Sequence, residues 1–150
     1  MPAATEPSAA RAGLPIGALA RRSGVKVPTI RYYEQIGLMP QAPRSASNRR
    51  LYGAADAQRL AFIRHARDLG FEIEEIRQLI ALAGDPANPC SEADAIAQRH
   101  LADIDAKIAR LTALRGEIAR MVTDCSHGAI ATCRVIEVLA DHDQCLHDRH

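Results

Sequence analysis

Between Ser91 and Val122 the chain runs for thirty-two residues without a proline and with one glycine, Gly116. Leu101, Ile104, Ile108, Leu111, Ile118 and Val122 recur there at threes, fours and sevens, with Arg115 interrupting one position. That spacing is the seam of a coiled coil. A helix of this length spans about 48 Å at ~1.5 Å per residue, whereas a compact globule of this chain length has a radius of gyration of only about 15 Å. The helix outruns any body that could cover it. Its apolar stripe needs a partner, and the simplest one is its own copy in a symmetric dimer. Ser91 followed by Asp94 is predicted to start the helix as a capping box, with Asp in place of the usual Glu or Gln.

The net charge of +1 hides an asymmetry. Between Arg11 and Arg67 eleven Lys/Arg stand against only Glu34 and Asp56, while from Ala81 onward seven Lys/Arg stand against eleven Asp/Glu. All five aromatics (Tyr32, Tyr33, Tyr52, Phe62 and Phe71) also lie in the first half. A compact basic module followed by a helical segment without aromatics points to a phosphate-rich partner for the front half. No apolar run approaches the ~20 residues needed to cross a bilayer, and residues 1–13 lack the apolar centre of a secretory signal. The expectation is a cytoplasmic protein with no membrane partner and a disordered tail over 1–13. In that compartment four cysteines suit metal ligands or reactive thiols better than structural disulfides.

Ile16 to Ser23 reads as a short helix with Ile16, Leu19 and Ala20 on one face, stopped by Gly24. A second helix starts near Val27, with Pro28 acceptable in its first turn, and ends at Gly37. Two short helices joined by a glycine-containing turn form a helix-turn-helix pattern. Met39 to Tyr52 then holds two prolines, Ser45, Ser47, Asn48 and three arginines. Such a segment is a polar, basic loop or short β-hairpin, like the wing of a winged helix. Ala54 to Leu69 is predicted as a helix with Leu60, Ile63 and Leu69 inward, Arg59, Arg64 and Arg67 outward, and Gly70 as its stop. Glu72 to Ala83 is a further helix, bounded by Gly84-Asp85-Pro86.

Three segments in this order carry a resemblance: IGALARRSGVKVPTIRYYEQIGLMP (Ile16–Pro40), NRRLY (Asn48–Tyr52) and FIRHARDLGFEIEEIRQLI (Phe62–Ile80). Together they resemble the MerR family of bacterial transcription regulators over about Leu14 to Ile80, and the long helix extends the likeness to about residue 122. The resemblance implies a mainly α fold: a winged helix-turn-helix DNA-binding domain over 14–84, then a long antiparallel coiled-coil dimerisation helix over 90–122. A metal-binding loop and short helix over 123–140 and a His/Cys-containing tail over 141–150 complete it. It also implies that the recognition helix enters the major groove of double-stranded promoter DNA while the wing grips the flanking backbone. Carried over by position, Arg31 and Tyr32 lie on the recognition helix, Arg49 and Arg50 on the wing, and Tyr52 at its end. Arg31 can bond a phosphate or reach a guanine edge, and Tyr32 can donate its hydroxyl to a phosphate. Tyr33, on another face, is expected in the core. Arg64 and Arg67 either reach the DNA backbone from the third helix or form its solvent face.

Cys90 and Cys125 stand 35 positions apart at the two ends of the long helix, about 52 Å along it. They cannot meet within one chain. In an antiparallel pair centred near residues 107 and 108, however, Cys90 of one protomer falls beside Cys125 of the partner subunit. Cys133 follows Cys125 by eight positions (CSHGAIATC). Two thiolates from one chain and one from its partner suit a soft or borderline metal; the alternative is three unrelated cysteines. A catalytic thiol would need an activating base that nothing specifies, and an iron–sulfur cluster generally needs four cysteines close together. No enzymatic activity is therefore expected. His127 either completes a tetrahedron around zinc or is a solvated loop histidine. Arg134 to Ala140 forms a short amphipathic helix able to fold back over the site. The tail residues His142, Cys145, His147 and His150 either bind metal weakly or belong to a frayed terminus.

Metal-sensing members of the family carry a cysteine pair in this loop. Sensors of divalent zinc, cadmium or lead typically add a cysteine matching Cys90, whereas copper(I), silver and gold sensors typically carry serine there. Cys90 thus favours a divalent ion, although a Cys-x7-Cys loop also occurs in copper(I) sensors. The expected function is a metal-responsive activator that binds its promoter as a homodimer. With a divalent thiophilic ion bound, it distorts the spacer DNA for RNA polymerase. Alternatives are a copper(I), silver or gold sensor using only Cys125 and Cys133, a thiol-based redox sensor on the same scaffold, and a metal-buffering protein with vestigial DNA binding.

Overall fold

The computed structural model describes residues 13–146, so the expectations for residues 1–12 and for His147 and His150 lie outside the described residues. The chain divides into two compact units, one ending at Asn88 and the other beginning at Pro89. No helix among the described residues is long and apolar enough to cross a membrane.

The first unit opens with a two-residue strand, β1 (Leu14–Pro15), and the helix α1 (Ile16–Ser23). Gly24 ends α1 in the left-handed region (φ 69°) and donates its N–H to the Ala20 carbonyl at 2.9 Å, a conformation that glycine adopts without a Cβ penalty. After a three-residue turn, α2 (Val27–Gln35) begins with Pro28 in its first turn. Leu19, Ile30 and Tyr33 are buried between these helices and the next two, α3 (Ala54–Asp68) and α4 (Ile73–Ala83). Leu60, Ile63, Ala66 and Ile76 complete the same cluster, so Tyr33 is a core residue as its position on α2 suggested.

The wing forms as a hairpin. Arg44 pairs with Arg50 across it, and the tip turns through Asn48 at φ 62°, whose N–H donates to the Ser45 carbonyl at 2.9 Å. Asparagine tolerates that left-handed conformation better than most residues. The last wing residues, β2 (Leu51–Tyr52), pair antiparallel with β1, placing Leu14 opposite Tyr52. This pairing ties the start of the unit to the end of the wing.

Two details differ from the sequence expectations. Leu69 was expected inward, yet it is 57% exposed, because α3 stops at Asp68 and the chain has already begun to leave the helix. The long helix does not start with a Ser91–Asp94 capping box. Pro89 precedes its first turn, and Asp94 instead accepts from the Gln98 side chain at 2.6 Å.

In the second unit, α5 (Cys90–Thr123) is 34 residues long, about 51 Å at ~1.5 Å per residue. Leu101, Ile108, Leu111, Ile118 and Val122 are all exposed along it, leaving the apolar stripe uncovered within the chain. After a loop containing a 3-10 turn (Ile130–Thr132), α6 (Arg134–Ala140) packs against α5 with Met121 and Val138 buried. A final 3-10 turn (His142–Gln144) follows.

Gly24→Ala is expected to lower stability by about 1–2 kcal/mol, the usual cost of holding an L-residue in the left-handed region. The new Cβ would also press on the Arg64 guanidinium beside it. Urea unfolding at fixed protein concentration measures this, and a variant as stable as the wild type would mean that the turn relaxes freely.

Candidate nucleic-acid interface and metal loop

Of the residues expected to meet DNA, Arg31 and Tyr32 lie exposed on the outer face of α2, with Tyr32 49% exposed. Arg49 is exposed near the tip of the wing. Its backbone N–H donates to the Ser45 hydroxyl at 3.2 Å, and the Ser45 N–H donates to its carbonyl at 2.6 Å. Both bonds stiffen the turn and leave the guanidinium facing outward.

Arg50 and Tyr52 are placed differently. The Arg50 guanidinium donates to Glu34 Oε2 at 2.7 Å, and the Tyr52 hydroxyl donates to Glu34 Oε1 at 2.7 Å. Tyr52 has no exposed surface and Glu34 is 5% exposed. Tyr52 therefore cannot touch DNA; the expectation that it does is corrected, because its hydroxyl points inward to a buried carboxylate. Burial, reinforced by the hydrogen bond to Glu34 and that residue's negative charge, pushes the Tyr52 phenol up to about 12. Arg50 stays partly accessible but is anchored from one side. Glu34 escaped the sequence reading. Its signal was its isolation, since Glu34 and Asp56 are the only acids from Arg11 to Arg67.

The arginines of α3 and α4 are also engaged. Arg64 donates to the Ser23 carbonyl at the end of α1, Arg59 to the Leu38 carbonyl at 2.8 Å, and Arg77 to the Ile36 carbonyl at 2.8 Å. Arg67 donates to the Phe71 carbonyl at 2.7 Å. Carbonyls at helix ends lack intrahelical donors, and a cation there also meets the negative end of the helix dipole. Arg64 and Arg67 are thus neither free backbone ligands nor a simple solvent face. Arg64 closes the end of α1 and Arg67 closes the turn between α3 and α4, each keeping about half of its side chain in solvent.

In the second unit, Cys90 is exposed at the first turn of α5, and Cys125 and Cys133 are half-buried at the two ends of the loop that follows it. His127 is exposed within that loop at φ 54°, in the left-handed region. Among the described residues no three or more His, Cys, Asp or Glu side chains converge to hold an ion. One chain therefore offers a pair of thiols flanking a loop, a donor set suited to a soft or borderline metal, with any third thiolate left to come from elsewhere. His142 and Cys145 lie in the last 3-10 turn and just after it, and neither joins such a group.

Two family models match the chain: "MerR HTH family regulatory protein" over residues 14–82 and "MerR, DNA binding" over 57–121. The HTH-type transcriptional regulator HmrR of Sinorhizobium medicae is 41% identical over 125 residues, covering 83% of this chain and 85% of that protein. The heavy metal-dependent transcription regulator 2 of Rhizobium meliloti is 39% identical over 126 residues, covering 84% and 86%. Among solved structures, the transcription regulator PbrR691 of Ralstonia metallidurans in complex with lead(II) aligns with a TM-score of 0.74 at 35% identity. That alignment spans 84% of this chain and 98% of the other.

Tyr52→Phe leaves the buried Glu34 carboxylate one donor short, which is expected to cost about 1–3 kcal/mol at neutral pH. The sign of the pH dependence follows from the raised pKa. The protonated phenol stabilises the fold fully below its ordinary value of 10.0, and that contribution is lost as pH rises toward about 12. Denaturation of both proteins at neutral and alkaline pH should give a gap that narrows over this window, and a gap absent at neutral pH would contradict the network.

Proposed function

The chain belongs to the MerR family of metal-responsive transcription regulators, proteins that are not enzymes, and from that premise we propose how it works. The protein binds its promoter as a homodimer and activates transcription, distorting the spacer DNA for RNA polymerase when a divalent thiophilic ion (zinc, cadmium or lead) is bound. The observation that carries this reading is the division of thiols. Cys125 and Cys133 flank one loop, whereas Cys90 sits at the far end of a 34-residue helix whose apolar stripe is exposed.

The uncovered stripe supports the dimer. Fully burying a Leu, Ile or Val side chain stabilises by about 1.5–3 kcal/mol, and a two-fold pair doubles the five exposed residues of each chain. Scaled to the 56–64% of each side chain still exposed, that is about 9–18 kcal/mol, of the same order as a typical association cost of about 4–15 kcal/mol. An antiparallel pairing centred near residues 107 and 108 sets Cys90 beside Cys125 of the partner subunit. When bound, the ion supplies thiolate coordination bonds that join the loop of one protomer to the helix end of the other. Cys90, Cys125 and Cys133 hold it, with His127 as a further donor from the loop. A site shared by both chains changes their mutual geometry, and any state that binds the ion better is favoured by its differential affinity.

On the DNA side, Arg31 and Tyr32 present the recognition helix, and Arg49 leads the wing with Arg50 beside it. Arg64 and Arg67 offer the phosphates only the guanidinium donors not engaged by the Ser23 and Phe71 carbonyls, while Tyr52 supports the wing from within. The domain limits that fit these roles are 14–84 for DNA binding, 90–122 for dimerisation and 123–140 for the metal loop with α6. Arg31→Ala is expected to lose on the order of 1–3 kcal/mol of operator affinity if the contact is to a base. Gel shifts of a variant verified as dimeric measure it, and unchanged affinity would remove Arg31 from the interface.

Cys90→Ser tests the metal site. Loss of an outer-sphere partner alone typically weakens metal binding about 10- to 100-fold, so removal of one of three thiolates should cost zinc and cadmium at least that much. Apo-protein binding to the operator should be intact. A titration of wild type and variant, read by metal affinity and transcript level, decides the matter. Unchanged zinc and cadmium responses would overturn the shared site, and a surviving strong copper(I) response would favour linear coordination by Cys125 and Cys133 alone.

A further inference from the structure

Gln144, near the end of the described chain, is bonded at both ends of the metal loop. Its backbone carbonyl accepts from the Arg120 guanidinium on α5, five residues before Cys125. Its side-chain carbonyl oxygen accepts from Arg134, the first residue of α6 and the neighbour of Cys133. Arg120 is held in turn by Glu117, whose carboxylate lies at 3.0 Å, is 3% exposed, and also accepts from the Leu146 N–H. Arg134 pairs with Glu137 at 3.1 Å, and the Asp141 carboxylate accepts from the Asp143 N–H at 3.1 Å, fixing the turn that presents Gln144. Arg120 Nε is buried without a hydrogen-bond partner. That cost is sustained because the Nη2 contacts hold the guanidinium beneath the tail.

We propose that Gln144 is a positioning residue for metal sensing. Its two acceptor oxygens draw Arg120 and Arg134 together and so set the separation of Cys125 and Cys133 before any ion arrives. The inference rests on the reading above that these two thiols hold the metal. A loop of this length has many conformations when only its covalent ends constrain it. Fixing its ends from outside moves the ordering cost from metal binding to folding, which raises affinity without adding a ligand. The side-chain amide serves Arg134 and the backbone carbonyl serves Arg120, so removing the side chain breaks the bridge while leaving the Arg120 bond in place.

The test uses the full-length, reduced protein. Hydrogen exchange of residues 124–133 and the rate of thiol modification at Cys125 and Cys133 are measured without metal. Zinc affinity is measured by competition with a chromophoric chelator. Gln144→Ala should speed exchange and thiol modification in the apo loop and weaken zinc about tenfold, the scale seen when an outer-sphere partner is lost. Gln144→Glu keeps an acceptor for Arg134 but replaces the Nε2 donor to Asp141 with a second carboxylate, so it should restore only part of the loss. In an Arg134→Ala background, which has already lost the Glu137 pair as well, adding Gln144→Ala should cost nothing more, because both changes break one link. Unchanged apo-loop exchange and zinc affinity in a folded Gln144→Ala variant would overturn the proposal, as would a further loss in the double variant. A wild type that binds no zinc through Cys125 and Cys133 would sink the metal reading instead, and the apo-loop measurements would still decide whether Gln144 orders the loop.

Discussion

Glu34 places a carboxylate in the interior of the first unit, between α2 and the wing beside it. Left unpaired, a buried charge costs several kcal/mol after relaxation; here Arg50 and Tyr52 each donate to it at 2.7 Å. Hydrogen bonds to a charged acceptor are roughly twice as strong as neutral ones, so the pair of donors offsets much of the desolvation. Both donors come from the last three residues of the wing. The wing therefore cannot swing away from α2 without stranding the charge, and Arg31 and Arg49 are carried on one stiff frame. The two-residue pairing of β1 with β2 holds the same corner from the other side.

The arginines tell a related story about charge. Counted along the sequence, the front half is a dense basic patch. Folded, Arg59, Arg64, Arg67 and Arg77 each donate to a backbone carbonyl. The first and third of the short connections are closed this way, and the end of α2 is pinned twice, through Ile36 and Leu38. Counting charge thus located the DNA-binding half correctly but overstated how many guanidinium groups are free for phosphate. Arg31 and Arg49 are both exposed.

Local signals explain what was legible in the sequence. The helix-turn-helix was readable because Gly24 and Pro28 punctuate it, and the long helix because its apolar period runs uninterrupted by proline. Long-range partnerships were not readable. Nothing in Leu14–Pro15 announces a strand, since two residues carry no alternation, and its partner lies beyond two helices and the wing. Tyr52 is placed at the DNA only by its position in the family resemblance; the fold alone reveals the buried carboxylate that its hydroxyl meets. The capping box failed for a local reason, as Pro89 already sets the entry angle of α5. At the candidate metal site the three cysteines were legible as a pattern of spacings, whereas the Gln144 bridge was not, because it depends on the tail turning back onto α5.

Splitting the proposed donors between two chains has a thermodynamic consequence. A ligand that binds only the dimer stabilises it by mass action, in proportion to the logarithm of ligand concentration over its dissociation constant. A weak seam would therefore make metal control assembly, and the apo-protein would leave its operator. The stripe on α5 argues for the other regime. Five exposed apolar residues on one helix face give each chain surface to pair without metal, and in the proposed reading the dimer stays on DNA in both states. In that proposal metal acts on shape, with the energy of coordination directed to the relative placement of two loops and two helix ends instead of to association. A preset loop serves that regime well, because less of the coordination energy is consumed in ordering the thiols and more remains to bias the geometry of the pair.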